Sequence, residues 1–241
     1  MDISGPEPVA SRRKVLLALG AAFVAAQARA QLLPSGGKGA KASACVLTPA
    51  QIEGPYFVDE RLNRSDIRSD PSDGSRRPGT PLSLSLRVHA VDQAHCTPLR
   101  DAIVDIWHCD ADGVYSDVAD PGFDTSGKKF LRGYQRTNGD GMVRFLTIYP
   151  GWYPGRAVHI HFKVRATAAS GRQHELTSQL YFDDALTDRI HSQPPYSRNG
   201  KRAPRNESDG IFRRGGRELL LAPVRDGAGY AATFDIGLLM S

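Results

Sequence analysis

From Pro81 onward the chain alternates. Leu82, Leu84, Leu86, Val88 and Ala90 interleave with Ser83, Ser85, Arg87 and His89. A period of two with one apolar face predicts a strand half-buried on a core. Residues 102–108 form a second strand-like run. Residues 130–136 and 142–148 flank Thr137-Asn138-Gly139-Asp140-Gly141, whose Asn, Asp and Gly suit the left-handed backbone of tight hairpins. Val158, Ile160, Phe162 and Val164 alternate with His159, His161, Lys163 and Arg165. Residues 176–182 read as another strand, and 219–224 with 230–236 as a closing hairpin around Asp226-Gly227-Ala228-Gly229. Many short strands punctuated by turns predict an all-β fold, an antiparallel β-sandwich with long loops. Beyond the first thirty residues no helical stripe is visible. Residues 183–212, rich in Pro, Arg, Asn, Asp and Ser, predict a long loop that covers part of a site. There is no internal repeat, no nucleotide-binding glycine pattern and no Gly-x-Ser-x-Gly elbow.

The first thirty residues read as an address. Arg12-Arg13 precede an apolar stretch at 16–26, and Ala28-Arg29-Ala30 offers small residues for cleavage. This order is that of a twin-arginine export signal cut after Ala30, and predicts a periplasmic or secreted protein. That route carries proteins already folded, often around a cofactor, so a bound metal or prosthetic group is expected. Residues 31–50 are small and polar, a flexible leader, which leaves 51–241 as the β domain. No apolar run reaches the roughly 20 residues of a spanning helix, so no membrane span is expected in the mature chain. With 40% hydrophobic and 24% charged residues in 241, the composition is that of a globular protein. The net charge of +5 is scattered and gives no nucleic-acid footprint. Cys45, Cys96 and Cys109 are too few for a disulfide scaffold. An exported chain can hold one bridge, and Cys45 with Cys96 is the expected pair, because Cys109 follows a regular strand pattern.

Two segments carry candidate chemistry. In a strand, His159 and His161 project to the same side, so two imidazoles can chelate one ion. Taken alone, His-x-His also fits two histidines on an exposed sheet face. Here it follows a Gly/Pro-rich turn bearing Trp152, Tyr153 and Arg156. The second segment, residues 104–117, holds His108, Cys109, Asp110, Asp112 and Tyr115. By itself it permits a His/carboxylate iron(II) site or a copper or zinc site. It fits equally a tight bend in which Asp110 and Asp112 satisfy backbone donors.

Together these segments resemble the intradiol ring-cleavage dioxygenases, non-haem iron enzymes that split catechols between the two hydroxyls. The resemblance covers Glu53-Gly54-Pro55-Tyr56-Phe57, residues 98–117, 130–133, 139–164 and 179–183, and more loosely 206–212. It implies iron(III) held by Tyr115, Tyr153, His159 and His161. Tyr149 competes with Tyr153, which is preferred because it follows Pro150-Gly151-Trp152 as in the family motif. The resemblance further implies that Tyr153 takes a catechol proton as general base, that Arg156 stabilises charge building on the substrate, and that Gln179 orients the substrate or the groups around it. The implied partners are a small catechol-type molecule and O2, and the product is a cis,cis-muconate. An oligomer is compatible with all of this. The stretch between Tyr153 and His159 is shorter than in the well-known catechol and protocatechuate enzymes, which leaves the substrate open.

The physical chemistry agrees. Iron(III) is hard and highly charged, and phenolate is a hard anionic donor. A bound cation depresses a phenol's pKa from its ordinary value of about 10. Charge transfer from phenolate to iron should colour the protein red. The competing readings are a cupin-like or His/carboxylate oxidoreductase, with Asp110 or Asp112 on the metal, and a non-catalytic secreted sandwich module that binds metal. Trp107 and Trp152 read as packing or pocket wall, and His108 and Cys109 as core. His89, His95, His174 and His191 read as surface. Tyr56 and Arg132 are expected near the pocket, and the basic run from Arg198 to Arg205 as a solvated loop.

Overall fold

The computed structural model describes residues 46–92 and 95–240. The expected export signal, most of the leader and Cys45 lie outside the described residues. Strand β1 (Pro81–Val91) buries Leu82, Leu84, Leu86 and Val88 and turns Ser83, Ser85 and Arg87 outward, as period-two patterning requires. On one edge it pairs with β11 (Gly229–Leu239), from Leu82↔Tyr230 to Val91↔Leu239. On the other it pairs antiparallel with β7 (Met142–Ile148) and then with β2 (Cys96–Pro98). The short strand β10 (Val224–Asp226) closes this sheet beside β11. Among the described strand pairs the β1–β11 pair is parallel, a departure from the expected antiparallel ladder. Two strands nearly 150 residues apart in sequence need no hairpin, so nothing local sets their direction.

The second sheet runs β6 (Arg132–Arg136), β3 (Ile103–Trp107), β8 (His159–Thr167), β9 (Gln173–Tyr181), with every pair antiparallel. Val104, Ile106, Ile160, Phe162, Val164 and Leu180 join the β1 leucines, Val143, Phe145, Ile236 and Leu238 in one buried core. Burying each such side chain stabilises the fold by about 1.5–3 kcal/mol. The other face of β8 is buried too. A second, aromatic cluster of Trp107, Cys109, Tyr115, Tyr56, Phe57, Phe123 and Tyr153 covers it. His159 and His161 therefore sit on a covered sheet face, not an exposed one. A small hairpin of β4 (Ala119–Asp120) and β5 (Phe123–Asp124) contributes Phe123 to this cover.

Residues 183–212 are more regular than their composition suggests. Helix α1 (Asp184–His191) is capped by Asp183, whose side chain accepts from the Leu186 N–H at 2.9 Å, and buries Leu186, Thr187, Ile190 and His191. Its apolar face is a single Leu/Ile pair four residues apart, too short to register as a stripe. Single turns of 3-10 helix follow at Tyr196–Asn199 and Asn206–Ser208. Arg202 pairs with Asp184 and Asp188, and Arg205 with Asp188. The basic run is thus partly structural rather than wholly solvated. His191, expected at the surface, is buried, and its ring stacks on Tyr196 at 4.8 Å. Cys96 is disulfide-bonded and Cys109 is a buried free thiol. Among the described residues no helix is long and apolar enough to cross a membrane.

Candidate metal centre

The second sheet supplies the floor. One row across it runs Arg132, Trp107, His161 and Gln179, and His159 lies beside Tyr181. Two turns then fold over the histidines. The bend after β3 is made by Asp110, whose Oδ1 accepts from the N–H groups of Asp112 and Val114, each at 3.0 Å. The turn after β7 lies against it: Gly151 donates its N–H to the Asp110 carbonyl at 3.1 Å. A Cβ on Gly151 would stand 2.3 Å from that oxygen, and one on Gly113 would stand 2.3 Å from the Trp152 carbonyl. Only glycines let the two backbones approach this closely. Their contact brings Tyr115 and Tyr153 together, with ring centroids 5.7 Å apart.

Four donor atoms converge. The hydroxyls of Tyr115 and Tyr153 each lie 3.4 Å from His159 Nε2, and His159 Nε2 lies 2.9 Å from His161 Nε2. His159 Nδ1 is 2.6 Å from the Ala157 carbonyl. It must donate there, so Nε2 presents its lone pair to the other three donors. Burial, with the Arg156 charge beside it, pushes His159 down to about 3; burial and then His159 itself push His161 well below its ordinary value. Both imidazoles are neutral, the form that binds metal. Burial also pushes the Tyr153 phenol up to about 12, and Tyr115 well above its ordinary value. A cation reverses that direction. The two phenol oxygens and the other imidazole nitrogen lie 2.9–3.4 Å from His159 Nε2, the separation expected between neighbouring donors that share one ion at bonds of about 2 Å. The donor set fits iron(III).

The other candidates are committed elsewhere. Asp110 shapes its bend, and Asp112 is paired with Arg198. The two His108 nitrogens lie 2.8 Å from the Cys109 carbonyl and 2.7 Å from Thr147 Oγ1. The Tyr149 hydroxyl lies 2.7 Å from Thr187 Oγ1, and its ring packs on Phe182. Of Tyr149 and Tyr153, Tyr153 is the one whose hydroxyl lies beside His159 Nε2. Among the described residues no three His, Cys, Asp or Glu side chains gather around a point, so the His/carboxylate reading has no site. Trp107 stacks on the His161 ring, and Tyr56 stacks on Tyr115 at 4.5 Å. Arg132 donates to the Tyr56 carbonyl at 2.7 Å and to Ser116 Oγ at 2.8 Å, pinning both sides of Tyr115.

Arg156 lies at the edge of the four donors, its Nη1 3.5 Å from His159 Nε2. Its Nη2 donates to Gln179 Oε1, whose amide nitrogen donates to the Ile52 carbonyl at 2.9 Å. All six residues singled out in the sequence thus meet in one place. Asp209, Tyr181 and Gln51 were not singled out. Asp209 Oδ2 accepts from Arg156 Nε at 3.0 Å. The Tyr181 hydroxyl lies 2.8 Å from Gln51 Oε1 and 3.0 Å from Gln179 Oε1. Asp209 lies in the segment with no apolar pattern, and only the loose resemblance over 206–212 pointed toward it.

Comparison with known proteins bears on this arrangement. A family model described as Dioxygenase matches residues 52–196. A chlorocatechol 1,2-dioxygenase of Cupriavidus pinatubonensis is 33% identical over 168 residues, covering 58% of this chain and 57% of the relative. The chain therefore matches little more than half the length of that relative. An intradiol ring-cleavage dioxygenase from Tetranychus urticae is 31% identical with a TM-score of 0.69, over 81% of this chain and 95% of that one. The dioxygenase domain of a carbohydrate-binding fusion from Streptomyces sp. SirexAA-E is 33% identical with a TM-score of 0.57, over 81% and 100%.

Proposed function

The chain belongs to the intradiol ring-cleavage dioxygenase family, and from that premise we propose that it is an iron(III) enzyme that opens a catechol-type ring between its hydroxyls. Both atoms of O2 enter the product, a cis,cis-muconate-type diacid. The convergence of two phenol oxygens and two imidazole nitrogens carries this reading. Tyr115, Tyr153, His159 and His161 would hold the metal. When bound, iron(III) supplies the Lewis acidity that draws electron density from the chelated catecholate and opens its ring to O2.

The chain's own residues divide the remaining work. Tyr115 is sealed at 1% exposure, whereas Tyr153 is only partly buried. Tyr153, ionised when the cation is bound, would accordingly be the residue whose phenolate Oη can accept a catechol proton as substrate enters, a general base. Arg156 is permanently charged and directs one nitrogen toward the donor cluster, so it stabilises negative charge on the substrate oxygen. Gln179 holds that guanidinium from the side of β9. Trp107, Tyr56 and Phe57 keep bulk water from the far side of the histidines.

The test is direct. Purified protein should carry about one iron per chain and show a visible phenolate band. It should consume O2 with catechol and release a muconate. Tyr153→Phe should remove or shift the band. A colourless protein, or cleavage outside the two hydroxyls, would overturn the reading. We also place the mature protein outside the cytoplasm, on the Arg12-Arg13 signal. Exported protein should begin at Gln31, and recovery of its original N-terminus would refute this placement.

A further inference from the structure

We propose that Asp209 is the positioning residue for Arg156, and that the same carboxylate fixes the chain segment that orients His159. The inference rests on the role given to Arg156 above. Asp209 is 1% exposed and reaches the site from the segment that follows α1, 53 residues beyond Arg156. Its Oδ2 accepts from Arg156 Nε at 3.0 Å and from the Ala157 N–H at 2.9 Å. Its Oδ1 accepts from the N–H groups of Ile211 at 2.7 Å and Phe212 at 3.3 Å. Two oxygens and four donors leave the carboxylate no freedom to turn.

The consequence for Arg156 follows from its shape. A guanidinium is planar, so anchoring two of its nitrogens fixes the third. Asp209 holds Nε and Gln179 holds Nη2, and Nη1 is left 3.5 Å from His159 Nε2. With Gln179 alone, the group would still rotate about a single contact. The bond to the Ala157 N–H adds a second effect. The carbonyl of Ala157 accepts from His159 Nδ1, so holding Ala157 preserves the tautomer that leaves Nε2 free. Asp209 also balances the arginine's charge. A trivalent cation beside an uncompensated guanidinium would be repelled, whereas the Arg156–Asp209 pair is neutral. Through Asp209, the segment 183–212 thus supports Arg156 from behind.

The test is a double-mutant cycle on the iron-loaded enzyme, with a readout from metal-free protein beside it. Asp209→Asn keeps the volume and one backbone acceptor but loses the charge. It should lower kcat by about 10- to 100-fold, the scale of an ångström-level misplacement, with KM changed by less than about threefold. In an Arg156→Ala background the same substitution should lower kcat at least about fivefold less, because only its hold on the Ala157 N–H is then left to weaken. In 15N spectra of metal-free native protein the Arg156 Nε–H should be protected from exchange, and Asp209→Asn should abolish that protection. Equal losses in both backgrounds would mark a general structural defect and overturn the proposal. Rapid exchange of the Arg156 Nε–H in the native chain would do so without any variant. A fully active Arg156→Ala enzyme sinks the role of Arg156 and this inference together. An impaired Arg156→Ala enzyme beside a fully active Asp209→Asn one sinks this inference alone.

Discussion

The indole of Trp107 lies parallel to the imidazole of His161, with ring centroids 4.9 Å apart and planes 8° from coincidence. His161 Nδ1 is buried without a hydrogen-bond partner, unlike His159 Nδ1, which is held by Ala157. On the Nδ1 side, then, stacking rather than a hydrogen bond holds the plane of His161, its other contact being Nε2 against His159 Nε2. Trp107→Ala should cost about 3–5 kcal/mol of stability, the usual range for an aromatic core truncation. It should also free the imidazole to rotate, and iron content should fall with it. Trp107→Phe keeps a stacking face and should retain most of the iron. Denaturant melts and metal analysis of both variants check this. Full iron retention in Trp107→Ala would show that the ring does not orient His161.

Gly151 tests the meeting of the two turns. An alanine there would place its Cβ 2.3 Å from the Asp110 carbonyl, and backbone on both sides leaves no flexible side chain to yield. Gly151→Ala should separate the turns, destabilise the fold by about 1–3 kcal/mol and move Tyr153 away from Tyr115. The visible band should weaken in proportion to lost iron. Gly139→Ala is the control, since nothing lies within 4 Å of its added Cβ and its φ is not positive. Equal effects at both positions would mean that the loss of glycine itself, rather than the close approach, is responsible.

The fold was legible where a repeat of two residues spoke for itself. β1 and β8 follow from their own alternation, and β7 follows from the turn at 137–141 with its Asn, Asp and Gly. Helix α1 was not, because two apolar residues give no periodicity to read. The parallel direction of β11 was not, because pairing between distant strands is decided by the whole sheet. The site divides in the same way. His159 and His161 share a side by strand geometry alone. The phenols came only through resemblance, since nothing in the spacing of Tyr115 and Tyr153 shows that Gly113 and Gly151 press their turns together. Asp209 had no local signal at all. A lone aspartate in polar sequence looks like any other until the chain folds back on Arg156.

The role proposed for Arg156, stabilising charge rather than holding metal, can be separated from metal binding by experiment. Arg156→Ala removes the guanidinium but none of the four donors. Iron and the visible band should survive, while kcat falls by about 100- to 1,000-fold, the range seen when a donor to developing negative charge is removed. Tyr115→Phe should do the reverse and lose iron before any rate can be compared. Metal analysis and steady-state kinetics on the same preparations check both. Loss of iron from Arg156→Ala would mean that the arginine supports the ligands instead.

His108 gives the fold a dependence on pH that can be separated from catalysis. Burial pushes its imidazole down to about 4, and its nitrogens are committed to Thr147 and the Cys109 carbonyl. In the unfolded chain the same group titrates near 6.5. Because the folded value is the lower one, protons bind the unfolded chain more readily between the two values. The stability from the neutral buried ring is complete above about pH 6.5 and is lost as pH falls toward 4, by up to about 3 kcal/mol. His108→Gln removes the titration while keeping a polar side chain. Its stability relative to the native chain should therefore improve as pH falls from 6.5 to 4, even though it is lower at neutral pH. Urea melts of metal-free native and His108→Gln protein across that range check this, since protonation of His159, His161 and His191 is common to both and cancels in the difference. A constant difference between the two proteins at every pH would show that His108 is not the group that titrates.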